Sequence, residues 1–169
     1  RVEASTSPRK AQDMLLWAAG LVLPPAIWGG VSMGGALSLW IAAHHPERVK
    51  AMILAGTVSS VGPAHFERLA ASHFLAERET FEGWDKFNRG YWLKDYPDFA
   101  EFFIRNICSE PHSTRQIEDG ISWANDTTGD VLVKTVEARA VPPQFDIGVA
   151  MYRKIDCPAL FIHGDNDQI

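Results

Sequence analysis

The chain has 169 residues, of which 46% are hydrophobic and 22% charged, and these values are typical of a globular domain with its own core. The formal net charge of −5 argues against a nucleic-acid partner, and no apolar run approaches the roughly 20 residues that a membrane span requires. The two cysteines, Cys108 and Cys157, fit no metal-ligand spacing, so we expect free thiols, a cytoplasmic protein and no bound metal or cofactor.

The first predicted elements are a helix, a strand, a second helix and a second strand. Spaced apolar residues predict a helix over residues 11–20, whereas the polar residues 1–9 predict a loop. A short apolar run at residues 26–29 predicts a strand. Residues 35–43 are apolar on nearly every side, which is typical of a helix buried against a sheet. A further apolar run at residues 49–55 completes a strand–helix–strand unit, and such units are almost always parallel.

The first strand and the second helix are joined by Gly30-Val31-Ser32-Met33-Gly34, which satisfies the pattern G-x-S-x-G. Between a strand and a helix this pattern predicts a nucleophile elbow, in which a serine on a tight turn exposes its hydroxyl. We expect an unfavourable φ/ψ at Ser32, and we expect that a Cβ at Gly30 or Gly34 would clash with the crowded turn. The alternative is a glycine-rich turn in which the serine only caps the helix.

Residues 63–155 separate the second strand from the next one and are helical in pattern throughout. A parallel crossover needs only about a dozen residues, so this length predicts an inserted helical unit. Its aromatic residues recur at helical spacing and have two interpretations. Most of them hold the helices together, and a minority line an apolar substrate pocket. The candidates for that pocket are Trp84, Tyr91, Trp92 and Phe103.

Acidic residues follow the last predicted strand. An apolar run at residues 159–162 predicts this strand, and Gly164 ends it. Asp165 and Asp167 come directly afterwards.

Three blocks of the sequence resemble the α/β-hydrolase superfamily. They are Ser32-Met33-Gly34-Gly35, residues 45–55 and residues 157–167, and they occur in the family's order. The resemblance implies an α/β protein with a partial α/β-hydrolase fold, in which helices flank a parallel sheet and a helical cap is inserted. It divides the chain into core residues 1–62, a cap at residues 63–155, and a core strand with an acid-bearing turn at residues 156–169.

The same resemblance implies roles for individual residues. Ser32 corresponds to the nucleophile and the Met33 N–H to one oxyanion-hole donor. Asp167 corresponds to the acid that orients a histidine base, because the family's acid lies three residues after the glycine that ends the strand, and Asp165 is the alternative. In the family the histidine follows the acid.

None of the six histidines follows Asp167, so we expect the catalytic histidine beyond residue 169, and a histidine of the helical cap is the alternative base. We likewise expect the second oxyanion donor before residue 26. A fragment without these groups should not turn over an activated ester, and open sheet edges should make it poorly soluble.

Two function hypotheses are compatible with the sequence. The first is a serine hydrolase that cleaves a carboxylic ester, a lactone or a similar acyl bond of a small-molecule substrate, while C–C cleavage and perhydrolysis remain open because the same triad supports them. The second is a non-catalytic binding or sensor protein on the same fold. A histidine after a further strand in the full-length sequence would favour the enzyme over the binding protein. The sequence does not indicate an oligomeric state.

Overall fold

The structure is a computed structural model that describes residues 6–57, 71–138 and 149–167. These residues form two compact units. The sheet unit comprises residues 6–57 and 149–165, and the helical unit comprises residues 71–138 and 166–167. In chain order the elements are α1 (Ser7–Gly20), β1 (Ala26–Val31), α2 (Met33–His44), β2 (Val49–Ala55), α3 (Ala71–Leu75), α4 (Arg89–Ile107), α5 (Thr114–Ala124), α6 (Gly129–Glu137), α7 (Val149–Tyr152) and β3 (Ala159–Ile162).

The sheet has the order β1-β2-β3, and both strand pairs are parallel. The strands predicted at residues 49–55 and 159–162 have the bounds that their apolar runs indicate. β1 continues two residues past the predicted end at residue 29, and α2 begins at Met33 instead of residue 35. Ser32 alone therefore separates strand from helix, which makes the turn as short as the motif requires.

The core of the sheet unit lies between α2 and one face of the sheet. Ile41 of α2 is fully buried, and Met52 and Leu54 of β2 are almost fully buried in the same cluster. Burying each such side chain contributes about 1.5–3 kcal/mol. Ser38 is also buried, and its hydroxyl donates to the Gly34 carbonyl at 3.0 Å, so it leaves no unpaired polar group.

The helical unit is built around α4 and an aromatic core. Asn88 caps α4, since its Oδ1 accepts from the Gly90 N–H at 2.8 Å. α4 is kinked at Asp95, whose φ of −151° is not helical, and Pro97 follows two residues later. The buried aromatic rings of this core come from three parts of the chain, and they are Phe74, Phe87, Trp92, Tyr96 and Phe99.

The two units divide the chain differently from the predicted domain boundary at residue 155. Helix α7 belongs to the sheet unit, because Met151, Tyr152 and Ile155 pack against the core cluster of that unit. The boundary predicted at residue 63 lies outside the described residues. Among the helices that the structure describes, none is long and apolar enough to cross a membrane.

Candidate active site

Ser32 lies in the turn between β1 and α2, and its side chain is exposed. Its backbone has φ 50° and ψ −117°, a conformation that L-residues rarely adopt. Such a backbone costs about 1–3 kcal/mol and persists only where its surroundings enforce it. Part of that enforcement is the Ser32 N–H, which donates to the Ala55 carbonyl at the end of β2 at 2.9 Å. The predicted unfavourable backbone at position 32 is present, and the serine hydroxyl does not hydrogen-bond to α2 as a cap.

The glycines around Ser32 differ in what a side chain would meet. A Cβ at Gly30 would lie 2.2 Å from the carbonyl carbon of Gly34, so position 30 excludes any larger residue. The prediction of a clash at Gly34 is wrong within the described part of the chain, because a Cβ there meets no atom within 4 Å outside the helix's own backbone. The crowded position is Gly35, where a Cβ would lie 2.0 Å from Thr57 Oγ1.

Met33 is the first residue of α2. The first N–H groups of a helix have no intrahelical partner, and the helix dipole favours negative charge there. An N–H group at this position can donate to an anion, and the role of the Met33 N–H as an oxyanion donor stays a prediction. The Met33 side chain is partly exposed, and its Sδ lies 3.9 Å from Lys10 Nζ.

The turn after β3 carries the two candidate acids. The end of β3 is fixed by the Gly56 N–H, which donates to the Ile162 carbonyl at 2.9 Å. The chain leaves the sheet unit between Asp165 and Asn166, so Asp165 belongs with Ser32 and Asp167 belongs to the helical unit. Because the predicted partners Ser32 and Asp167 belong to different units, the choice of Asp167 over Asp165 stays a prediction.

Two of the histidines lie at the far end of α2. His44 and His45 follow Ser32 by the length of the helix, which places them about 18 Å away along its axis. His44 Nδ1 is 2.9 Å from the Trp40 carbonyl, and its ring stacks on Trp40 with 4.0 Å between centroids. Neither histidine can accept a proton from Ser32.

Two further histidines, His73 and His163, lie in other parts of the structure. His73 lies in the helical unit beside Arg78, which is paired with Asp85 at 2.8 Å. His163 follows β3 and is exposed. His65 lies outside the described residues. The predicted location of the base beyond residue 169 stays a prediction.

The four aromatic residues proposed for a substrate pocket pack in or against the core of the helical unit. Trp92 is only 6% exposed and makes an edge contact with Phe74 at 4.8 Å between ring centroids. Trp84 makes a similar edge contact with Phe103 at 6.2 Å. These contacts support the interpretation that the rings hold the helices together. Trp92 also borders an open surface cavity of about 440 Å³ in the helical unit.

Tyr91, the remaining aromatic candidate, belongs to a charged cluster. Its hydroxyl donates to Asp98 Oδ2 at 2.6 Å, and Lys86 Nζ is 2.5 Å from the same oxygen. The hydrogen bond to Asp98, together with burial, raises the pKa of Tyr91 from 10.0 to about 12. The hydrogen bond from Lys86, followed by the one from Tyr91, lowers the pKa of Asp98. Tyr91 therefore stays protonated near neutral pH.

Within the described residues, no group of three or more His, Cys, Asp and Glu side chains is arranged to hold a metal ion.

Known proteins share this fold. A family model described as alpha/beta hydrolase fold matches residues 19–169. A crystal structure of a hydrolase from Pseudomonas aeruginosa PA01 aligns with a TM-score of 0.64 and 24% identity, covering 94% of this chain and 54% of that one. A candidate aryl esterase from Burkholderia cenocepacia aligns with a TM-score of 0.65 and 16% identity, covering 97% of this chain and 54% of that one. At these identities the likeness shows the fold alone.

A curated relative matches over a shorter stretch. Over 52 residues the chain is 38% identical to 3-oxoadipate enol-lactonase 2 of Acinetobacter baylyi, which covers 31% of this chain and 20% of the lactonase. The chain also spans about half the length of the two solved structures. The family match and the solved structures confirm the predicted fold class.

Proposed function

The chain belongs to the alpha/beta-hydrolase fold family, and from this premise we propose that the full-length protein hydrolyses a carboxylic ester or lactone through an acyl-serine intermediate. The observation that carries the proposal is the backbone of Ser32, whose φ of 50° and ψ of −117° hold an exposed hydroxyl between β1 and α2. A strained backbone of this kind is retained where a side chain must be presented to a substrate.

In the proposed reaction, Ser32 Oγ attacks the carbonyl carbon of the substrate, and its proton passes to a histidine base. The carbonyl oxygen becomes negatively charged and accepts hydrogen bonds from the Met33 N–H and a second donor. The ester C–O bond then breaks, and the leaving oxygen takes the proton from the histidine. Water attacks the acyl-serine in the same way and releases the acid.

We assign the acid to Asp167 and the base to a histidine outside residues 1–169. The alternative acid, Asp165, lies in the sheet unit with Ser32. Support for an outside base comes from His44 and His45, which lie at the opposite end of α2 from the nucleophile. An acid that fixes the tautomer of the base contributes about four orders of magnitude to the rate in the serine proteases, so the two carboxylates can be distinguished by substitution.

The substrate class follows from the relatives. The lactonase named above acts on an enol-lactone by its name, and a lactone is a cyclic ester that the same acyl-serine chemistry opens. We therefore propose that lactones and small carboxylic esters are the substrates to test first.

The test is labelling of the full-length protein with a fluorophosphonate, which reacts only with an activated serine. We expect Ser32→Ala to abolish labelling and hydrolysis of p-nitrophenyl acetate and of an enol-lactone. Ser122→Ala, at an exposed serine of α5, is the matched control and should label like the parent. Equal labelling of Ser32→Ala and the parent would refute the assignment.

A further inference from the structure

Thr57 contacts the helix that begins at the elbow. It follows β2 and Gly56, whose φ of 47° turns the chain out of the sheet. Its Oγ1 would lie 2.0 Å from a Cβ on Gly35, and its own Cβ and Cγ2 would each lie 2.9 Å away. The Thr57 side chain therefore occupies the space that any other residue at position 35 would fill, three residues after Ser32.

The hydroxyl of Thr57 does not explain this contact. Its Oγ1 is buried and has no hydrogen-bond partner within the described part of the chain. A buried polar atom without a partner costs stability, so among these residues the hydroxyl adds no stabilising hydrogen bond. The side chain instead contributes van der Waals packing, since three of its atoms lie against Gly35.

The end of β2 supports the elbow on both of its sides. Before the turn, the Ala55 carbonyl accepts from the Ser32 N–H at 2.9 Å. After the turn, the first helical bond runs from the Ala36 N–H to the Ser32 carbonyl at 3.2 Å, and Thr57 packs beside it on Gly35. Ala55 at the end of β2 and Thr57 just after it thus contact the chain before and after Ser32. These contacts favour the positive φ of Ser32, which is strained by itself.

We propose that Thr57 is a positioning residue for Ser32, and that it acts through the shape of its side chain and not through its hydroxyl. The proposal rests on the proposed function, because it takes Ser32 as the nucleophile. A displacement of about 1 Å at a reacting atom can lower a rate by about a hundredfold, so a looser contact at Gly35 should be visible in the reactivity of the serine.

The experiment compares variants of the full-length protein by their rate of fluorophosphonate labelling and by kcat and KM for p-nitrophenyl acetate. Thr57→Val keeps the shape and removes the hydroxyl, and we expect its labelling rate to stay within about twofold of the parent with an unchanged or higher melting temperature. Thr57→Ala removes Oγ1 and Cγ2, and we expect labelling and kcat to fall about tenfold while KM is unchanged.

A second pair of variants tests the contact itself. Gly35→Ala should label at least about tenfold more slowly, and adding Thr57→Gly should recover part of that rate, because it removes all three atoms that the new Cβ meets. The proposal is overturned if Thr57→Val loses as much labelling as Thr57→Ala, if Thr57→Ala labels like the parent, or if the double variant is no faster than Gly35→Ala. Retained labelling in Ser32→Ala would instead refute the proposed function.

Discussion

At the scale of single residues, the elbow depends on which glycine lies against other backbone atoms. Gly30 was recognisable from the motif, and its missing Cβ would strike the backbone of Gly34. The importance of Gly35 was not predictable from spacing, because its neighbour Thr57 is brought there by β2 and is 22 residues distant in sequence. A pattern of glycines indicates a tight turn, but the fold decides which of them must be glycine.

This difference gives the first prediction. Gly30→Ala should lower the stability of the full-length protein by about 3 kcal/mol or more, because neither the new Cβ nor the backbone of Gly34 can move away. Gly34→Ala should change stability by less than about 1 kcal/mol, since alanine also favours the helix. Urea unfolding of both variants makes the measurement, and equal losses would contradict the geometry.

The charged cluster in the helical unit gives a second prediction at this scale. Because the pKa of Tyr91 is raised to about 12, the stability it contributes is present below about pH 10 and is lost as the pH rises through 12. Asp98→Asn removes the charged acceptor and should return the pKa of Tyr91 towards 10.0. A pH titration of the ¹³Cζ resonance of Tyr91 measures this change.

The matched control for that titration is Asp95→Asn. Asp95 contributes least to the raised pKa of Tyr91, and the asparagine oxygen can still accept from the Asp98 N–H as Asp95 Oδ1 does at 3.2 Å. We expect a clearly smaller shift. An Asp95→Asn shift as large as that of Asp98→Asn would show that general negative charge, and not the hydrogen bond, raises the pKa.

At the scale of elements, the strands were easier to predict than the helices. The apolar runs at β2 and β3 are bounded by turn residues, so the sequence alone indicates where they begin and end. α4 is different. Its two halves meet at a kink by Asp95 and Pro97, and the aromatic residues at helical spacing on either side of that kink do not reveal that one element carries them all.

The start of α4 leads to the third prediction. The Asn88 side chain is buried, accepts from Gly90 N–H at 2.8 Å and donates through Nδ2 to the Ala76 carbonyl at 2.8 Å. Asn88→Ala should therefore cost about 2 kcal/mol, since it removes a helix cap and leaves buried backbone groups unpaired. Thermal unfolding followed by circular dichroism provides the measurement.

Asn88→Asp separates the two contributions. The aspartate keeps an acceptor for the Gly90 N–H but puts a buried carboxylate oxygen beside the Ala76 carbonyl, so we expect a larger loss than that of Asn88→Ala. If Asn88→Ala were as stable as the parent, the cap would have no energetic role.

At the scale of the whole molecule, the sequence indicated the order of core, helical insert and acid-bearing strand, and the family match confirms the fold. The extent of the insert was not predictable. Helix α7 has the same kind of pattern as the helices before it, and only the packing of its Met151 and Tyr152 against the core of the sheet unit shows that it belongs there. Sequence periodicity identifies a helix but not the core against which it packs.

Exposed apolar residues on the sheet give the fourth prediction. Phe161 on β3 is 67% exposed, and Val31 on β1 is 71% exposed. Unpaired strand edges with apolar side chains associate readily, so we expect residues 1–169 expressed alone to form concentration-dependent oligomers in sedimentation velocity. Phe161→Glu should reduce this association. Trp123→Glu, at an equally exposed residue of α5, should leave it unchanged, and a reverse result would place the contact on the helices.

The positive φ of Ser32 is a backbone conformation that favours glycine over serine. Glycine adopts a φ of 50° without steric strain, so we expect Ser32→Gly to melt at a higher temperature than Ser32→Ala, and above the parent as well, while under the proposed function neither variant should hydrolyse an ester. A calorimetric scan of the three proteins would make that comparison. The difference in melting temperature between Ser32→Gly and the parent would measure how much stability the serine costs at this position. A more stable variant without the hydroxyl would also be suited to binding substrate without converting it.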